Sequence, residues 1–199
     1  EANFYAEDVE VTVTKNGEAF NYGSVSWGTR NAEDKVIGTF TLPAPADHSG
    51  DGHYVITVEY PDRSNNEMVK YVSDTHTIDT TLPVINVEYL NKTVENKLTD
   101  RDGNERKYFA DTQTAVITIN EHNFISDEVD FTIIAKDVTG AVLDAATLSS
   151  KSAWTVDSTG DIHIITITYP GDANYTFDVA YTDKATNAAE DYATDYFTV

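Results

Sequence analysis

The chain has 199 residues, which suits one or two domains and is long enough to bury a core without staples. With 13 Lys and Arg against 34 Asp and Glu, its formal charge is -21, and phosphate repels so negative a surface; nucleic acid and anionic membranes are poor partners. The lack of cysteine excludes disulfides, thiolate metal sites and thiol catalysis, and no apolar run approaches the 18 residues of a membrane-spanning helix.

In chain order, Val9, Val11 and Val13 alternate with Glu10, Thr12 and Thr14, which predicts a strand with one wet face, closed by the Asn16-Gly17 turn. Tyr54, Ile56, Val58 and Tyr60 repeat that period after the turn residues Ser49-Gly50-Asp51-Gly52. Thr77-Ile78-Asp79-Thr80-Thr81-Leu82-Pro83 then reads as a linker, because proline is excluded from a central strand. This places one domain over 1–80 and a second over 81–199. Val84-Ile85-Asn86-Val87 opens the second, and 90–107 is a polar insertion expected to form a hairpin. Strands follow at 114–119, 165–169 and 175–181; 141–148 is a short candidate for a helix. Many short alternating strands separated by regular turns predict an all-β sandwich class.

The chain also repeats itself. Asn3-Phe4 through Val13 returns as Asn123-Phe124 through Ile133, 120 residues later. Trp27 with Thr41-Leu42-Pro43 returns as Trp154 with Thr168-Tyr169-Pro170. Asp51-Gly52-His53-Tyr54 returns as Asp172-Ala173-Asn174-Tyr175, and the turn residues Asp62 and Asn66 return as Asp183 and Asn187. The 114–119 strand has no partner ahead of Phe4, so the first copy is expected to lack its leading strand, leaving an edge for a preceding repeat or another chain.

These motifs resemble the bacterial immunoglobulin-like domains that occur in tandem in surface proteins and adhesins. The strand starts at Asp51 and Asp172, the turns Asp62-Arg63-Ser64-Asn65-Asn66 and Asp183-Lys184-Ala185-Thr186-Asn187, and the linker Asp79-Thr80-Thr81-Leu82-Pro83 carry the resemblance. Asn65 and Thr186 replace the turn glycine, and Leu82 the linker alanine. The resemblance implies two tandem immunoglobulin-like sandwiches cut from a larger secreted protein of the bacterial surface. Tyr54 and Tyr175 then stand where a strand-F tyrosine bonds back to the backbone, with Ile56 and Phe177 in place of the cysteine.

Five histidines have no metal-ligand spacing, and no hydrolase or metalloprotease motif is present, so no enzyme activity is expected. Calcium is the candidate cofactor, since it wants six to eight oxygens and Asp62, Asn66 and Asp79 offer them if they converge; the bland alternative is that Asp62 and Asp183 merely cap their own turns. Asp100-Arg101-Asp102-Gly103-Asn104 lacks the glycine and glutamate of a calcium loop and reads as a hairpin turn. Lys15 and Lys136, with Asn66 and Asn187, are candidates for an isopeptide crosslink, though exposed lysines at strand ends are the simpler reading. Trp27 and Trp154 are expected in the core, with exposed sugar platforms as the alternative. Tyr5, Phe20, Tyr22, Tyr108 and Phe109 fall in loops or at strand ends and are the candidate partner-contact patch. Asn91-Lys92-Thr93 and Asn174-Tyr175-Thr176 match the glycosylation sequon.

The reading is therefore an extracellular adhesin segment that binds a host protein, immunoglobulin among the candidates, and neighbours further repeats. A pure stalk and a glycan-binding module of a secreted enzyme are its rivals.

Overall fold

The computed structural model describes residues 4–64, 66, 68–91 and 94–199, and backbone alone for 94–97. Asn3, Asn65, Lys92 and Thr93, and with them part of the first repeat, one turn and one sequon, lie outside the described residues. The fold is all-β, with one single-turn α-helix and two three-residue 3-10 turns among the described residues. The chain divides into two compact units, Glu1–Thr81 and Leu82–Val199.

In the first unit, β1 (Glu10–Lys15) is joined by a tight turn to β2 (Glu18–Ala19). Asn16 and Gly17 both have positive φ (53° and 84°), as a primed hairpin turn requires. β3 (Ser26–Trp27) and β4 (Gly38–Thr39) pair with each other. β5 (Gly52–Glu59) runs antiparallel to β1 from Glu10↔Glu59 to Lys15↔Tyr54. β6 (Tyr71–Val72) and β7 (His76–Ile78) share the other edge of β5.

The second unit is a complete two-sheet sandwich. One sheet runs β13 (Val142–Leu143), β12 (Val129–Lys136), β17 (Asn174–Tyr181), β18 (Asp195–Thr198), β10 (Glu105–Tyr108), β9 (Val94–Thr99). The other runs β14 (Ser150–Lys151), β16 (Ile162–Tyr169), β11 (Gln113–Asn120), β8 (Val84–Tyr89), with β15 (Thr155–Val156) also on β16. The helix α1 is the single turn Ala145–Leu148, begun by Asp144, whose carboxylate accepts from Ala146 N–H. Period-two alternation sends Ala115, Ile117 and Ile119 of β11 and Ile165, Ile167 and Tyr169 of β16 inward. They meet Tyr175, Phe177, Val179 and Tyr181 of β17 and Phe197 of β18.

Within the 90–107 insertion β9 and β10 form the expected hairpin, and β10 extends the sheet by parallel pairing with β18. Asp100 closes its turn by accepting from the N–H groups of Asp102 and Asn104, both at 2.9 Å. Arg106 anchors the hairpin, donating to the carbonyls of Phe197 (2.9 Å) and Tyr175 (3.1 Å) and to Asp100 (3.0 Å).

Candidate functional site

The sequence repeat is a repeat in three dimensions. The Tyr54 hydroxyl donates to the carbonyl of Gly50 at 2.6 Å, and that of Tyr175 to Gly171 at 2.8 Å and Leu148 at 3.0 Å. Both hydroxyls therefore reach back four residues, the bond expected at these positions. Burial raises the pKa of both phenols, so each stays protonated as a donor. Glycine is required at the first of these positions, where a Cβ on Gly50 would lie 2.3 Å from the Pro43 carbonyl oxygen; one on Gly171 would lie 2.4 Å from Leu148 Cδ2, the movable end of a side chain. Tyr60 and Tyr181 accept from the N–H groups of Tyr5 (3.3 Å) and Ile125 (3.0 Å).

The acidic turns match as closely. Asn66 donates its N–H (2.7 Å) and its amide (2.8 Å) to the Asp62 carboxylate, and Asn187 does the same for Asp183, both at 2.8 Å. The Asn66 side-chain and backbone bonds lower the Asp62 pKa. Each aspartate thus caps its own turn.

Asp79 does not join Asp62 and Asn66. It follows β7, whose Ile78 pairs with Gly52 at the start of β5, whereas Asp62 lies beyond the end of that strand. Eight residues at about 3.3 Å each separate them by roughly 26 Å, which corrects the expected calcium set. The same geometry separates Lys15 from Asn66 and Lys136 from Asn187, since each lysine pairs at the start of β5 or β17 and each asparagine follows its end. The Lys15 ammonium instead donates to the Ser49 carbonyl at 2.5 Å.

The five aromatic residues expected to form a contact patch do not converge. Tyr5 lies under the Arg63 guanidinium, 3.4 Å from its ring centroid, at one end of β5. Phe20 packs edge-on against Tyr54 at the other end, 5.2 Å between centroids. Tyr22 packs on Phe40 and donates to the Val11 carbonyl at 2.9 Å. In the second unit Tyr108 is half-buried in β10, and Phe109 is core, 7% exposed, between Tyr89 and Phe197. Trp27 and Trp154 are half-buried, covered by Phe4 at 5.3 Å and Phe124 at 4.8 Å.

Three features escaped the sequence. The first is a run of exposed apolar residues at 68–72, on and beside the edge strand β6, interrupted by Lys70, which pairs with Glu59. Val69 is 90% exposed, with Met68 and Val72 exposed beside it. Met68 N–H bonds to the Tyr60 carbonyl as Ala189 N–H bonds to that of Tyr181, so Val69 is the counterpart of Glu190 and Val72 of Ala193. Comparing those two copies was the available signal. The second is a buried carboxylate pair in the second unit, Glu121 (4% exposed) and Asp183 (5%). An oxygen of each lies within 4.8 Å of the other. Glu121 also accepts from Asn123 N–H at 2.7 Å. It follows β11 at the end of the sandwich where β8 begins, because Asn120 pairs with Val84. The third is a network on Asp195, which accepts from the hydroxyls of Tyr89 (2.9 Å) and Tyr192 and from the Lys107 ammonium (2.9 Å). It ties β8, β10 and β18 together.

No family model matches the chain, and no curated protein matches it.

Proposed function

We propose that the chain is a non-catalytic segment of a bacterial cell-surface protein, built of immunoglobulin-like sandwiches and serving to project and to make contact, in the manner of an adhesin. The observation that carries this reading is the duplicated construction: the same tyrosine bond, the same acid-capped turn and the same Phe–Trp pair stand in both units. That is how a chain is lengthened by repeating one module, and the -21 charge keeps such a chain soluble and apart from its copies.

Contact with a host protein, rather than a pure stalk, is favoured by the strip at 68–72. A spacer gains nothing from replacing the counterpart of Glu190 with a valine that is 90% exposed, whereas exposed apolar patches mark protein-binding surfaces. The glycan-platform rival is disfavoured, because a phenylalanine packs against each indole. The test is a binding screen of the folded segment against host surface and secreted proteins, immunoglobulins and glycans. Saturable binding that Val69→Glu weakens supports contact through this strip.

A second reading concerns a cation. An oxygen of Glu121 and one of Asp183 lie within 4.8 Å of each other, a separation that two ligands of one calcium ion, each about 2.3–2.6 Å from it, can span. The pair supplies hard oxygen ligands, and a divalent ion would offset the cost of burying both charges. Calcium is therefore expected to raise the melting temperature of the second unit, and Glu121→Gln to abolish the increase.

A further inference from the structure

Charged residues make up 24% of the chain, yet one face of the second unit is almost free of them. The odd-numbered residues of β11 and most of those of β16 are buried, so the even-numbered ones point away from the core. Register sets Thr114 beside Thr168, Val116 beside Thr166 and Thr118 beside Ile164. No outward position of either strand is charged. On the neighbouring β8, Val84 and Asn86 continue the face, and Glu88 is the single charge on the outward side of the three strands. The outer face of the other sheet is different: it carries Asp130 and Lys136 on β12 and Asp178 on β17.

The same face is broad and can pair with itself. Strands about 4.8 Å apart, rising about 3.3 Å per residue, give a sheet four strands wide an outer face of roughly 500 Å². Two copies would cover about 1,000 Å², where specific association begins. A threonine hydroxyl both donates and accepts, so it can face its own copy, as the Thr114 and Thr168 hydroxyls already do at 3.3 Å. A carboxylate or an ammonium cannot. The outward Thr, Val and Ile side chains are β-branched and stiff, so covering them costs little rotamer freedom. The -21 charge opposes the approach of two copies, so contact between them has to use a face that lacks it.

We propose that the chain dimerises with a second copy of itself, the outer face of the β14–β16–β11–β8 sheet packing on the same face of the other copy about a two-fold axis. Such a contact needs a self-complementary patch, which this face supplies. The two sheets stack about 10 Å apart, Val116, Ile164 and the threonine methyls supply the apolar contact, and threonine hydroxyls pair across it. Glu88 lies on β8, the outermost strand of the sheet, and stays in the solvated rim, where interfaces keep their charges. The exposed run at 68–72 belongs to the first unit and takes no part.

Sedimentation equilibrium of the full chain, from micromolar to millimolar concentration, is the test. At physiological salt a monomer–dimer equilibrium with a dissociation constant of about 100 μM is expected, tightening in about 1 M salt as the screening length falls to about 3 Å. Thr118→Glu and Thr118→Lys should each weaken the dimer at least about tenfold, because the two-fold axis brings either charge toward its like. Thr118→Val and Val69→Glu should leave it within about twofold of the wild type. Melting curves of the dilute variants show that they are folded, and one charged variant that melts like the wild type is sufficient. A monomer at millimolar concentration would overturn the proposal, as would association that salt abolishes or that a folded charged variant leaves intact. Association that Thr118→Lys strengthens, or that Val69→Glu removes, would place the contact on another surface and overturn it too.

Discussion

Two tyrosines in the core of the second unit make opposite use of the same hydroxyl. Tyr175 donates to the carbonyls of Gly171 and Leu148, whereas the Tyr169 hydroxyl is buried with no hydrogen-bond partner. Their rings stand 5.0 Å apart in one aromatic cluster, so Tyr→Phe at either keeps the packing and removes only an oxygen. Tyr175→Phe strands two backbone acceptors and should cost about 1–2 kcal/mol, or roughly 4–10 °C of melting temperature for a unit of this size. Tyr169→Phe removes an unsatisfied buried dipole and should be neutral or stabilising by up to about 1 kcal/mol. Trp154 fluorescence in a Trp27→Phe background follows the second unit through thermal unfolding. Equal losses in the two variants, or a loss at Tyr169 larger than at Tyr175, would refute the hydrogen-bond account of this core.

Phe109→Ala should destabilise the second unit by about 3–5 kcal/mol as a core truncation, while Tyr5→Ala in the first unit should cost no more than about 1 kcal/mol; chemical denaturation of each variant separates them. Gly38→Ala places a Cβ 2.6 Å from Trp27 Cζ3, so the indole must shift; a changed Trp27 emission with a loss of about 1–3 kcal/mol is expected, and an unaltered spectrum would count against the contact. The carboxylates of Asp47, Asp62, Asp137 and Asp157 have lowered pKa values, chiefly through side-chain hydrogen bonds from Ser49, Asn66, Thr139 and Thr159. A depressed folded value contributes stability that is complete above the ordinary 3.8 and is lost as pH falls through the folded value. Melting curves in about 1 M salt, where the screening length is about 3 Å and self-repulsion is muted, should be level from pH 7 to 5 and fall below pH 4.

The strands were legible because their chemistry is local. Alternation at 9–13, 54–60, 114–119, 165–169 and 175–181 sets β1, β5, β11, β16 and β17, and the duplicated Tyr and Asp positions mark bonds spanning four residues. The sites were not legible, because they depend on register. Asp62 and Asp79 are close in sequence yet lie at opposite ends of β5. Lys107 and Asp195 meet only because β10 pairs in parallel with β18. Phe109 follows a strand end and looked exposed, yet the hairpin that it ends folds it under Tyr89. Alternation reports which face of a strand is apolar. It does not report whether another strand covers that face, which is why Ile56 and Phe177 read alike and are buried differently.

The central claim is contact through the exposed strip of a repeated surface module, and binding to an array of host surface and secreted proteins tests it most directly, with wild type and Val69→Glu run in parallel at physiological salt. The account predicts saturable binding by the wild type and at least about tenfold weaker binding by the variant, as for an interface anchor worth 1.4 kcal/mol or more. Silence across the array, or binding indifferent to Val69→Glu, would contradict it and leave the chain a stalk or move its contact surface elsewhere.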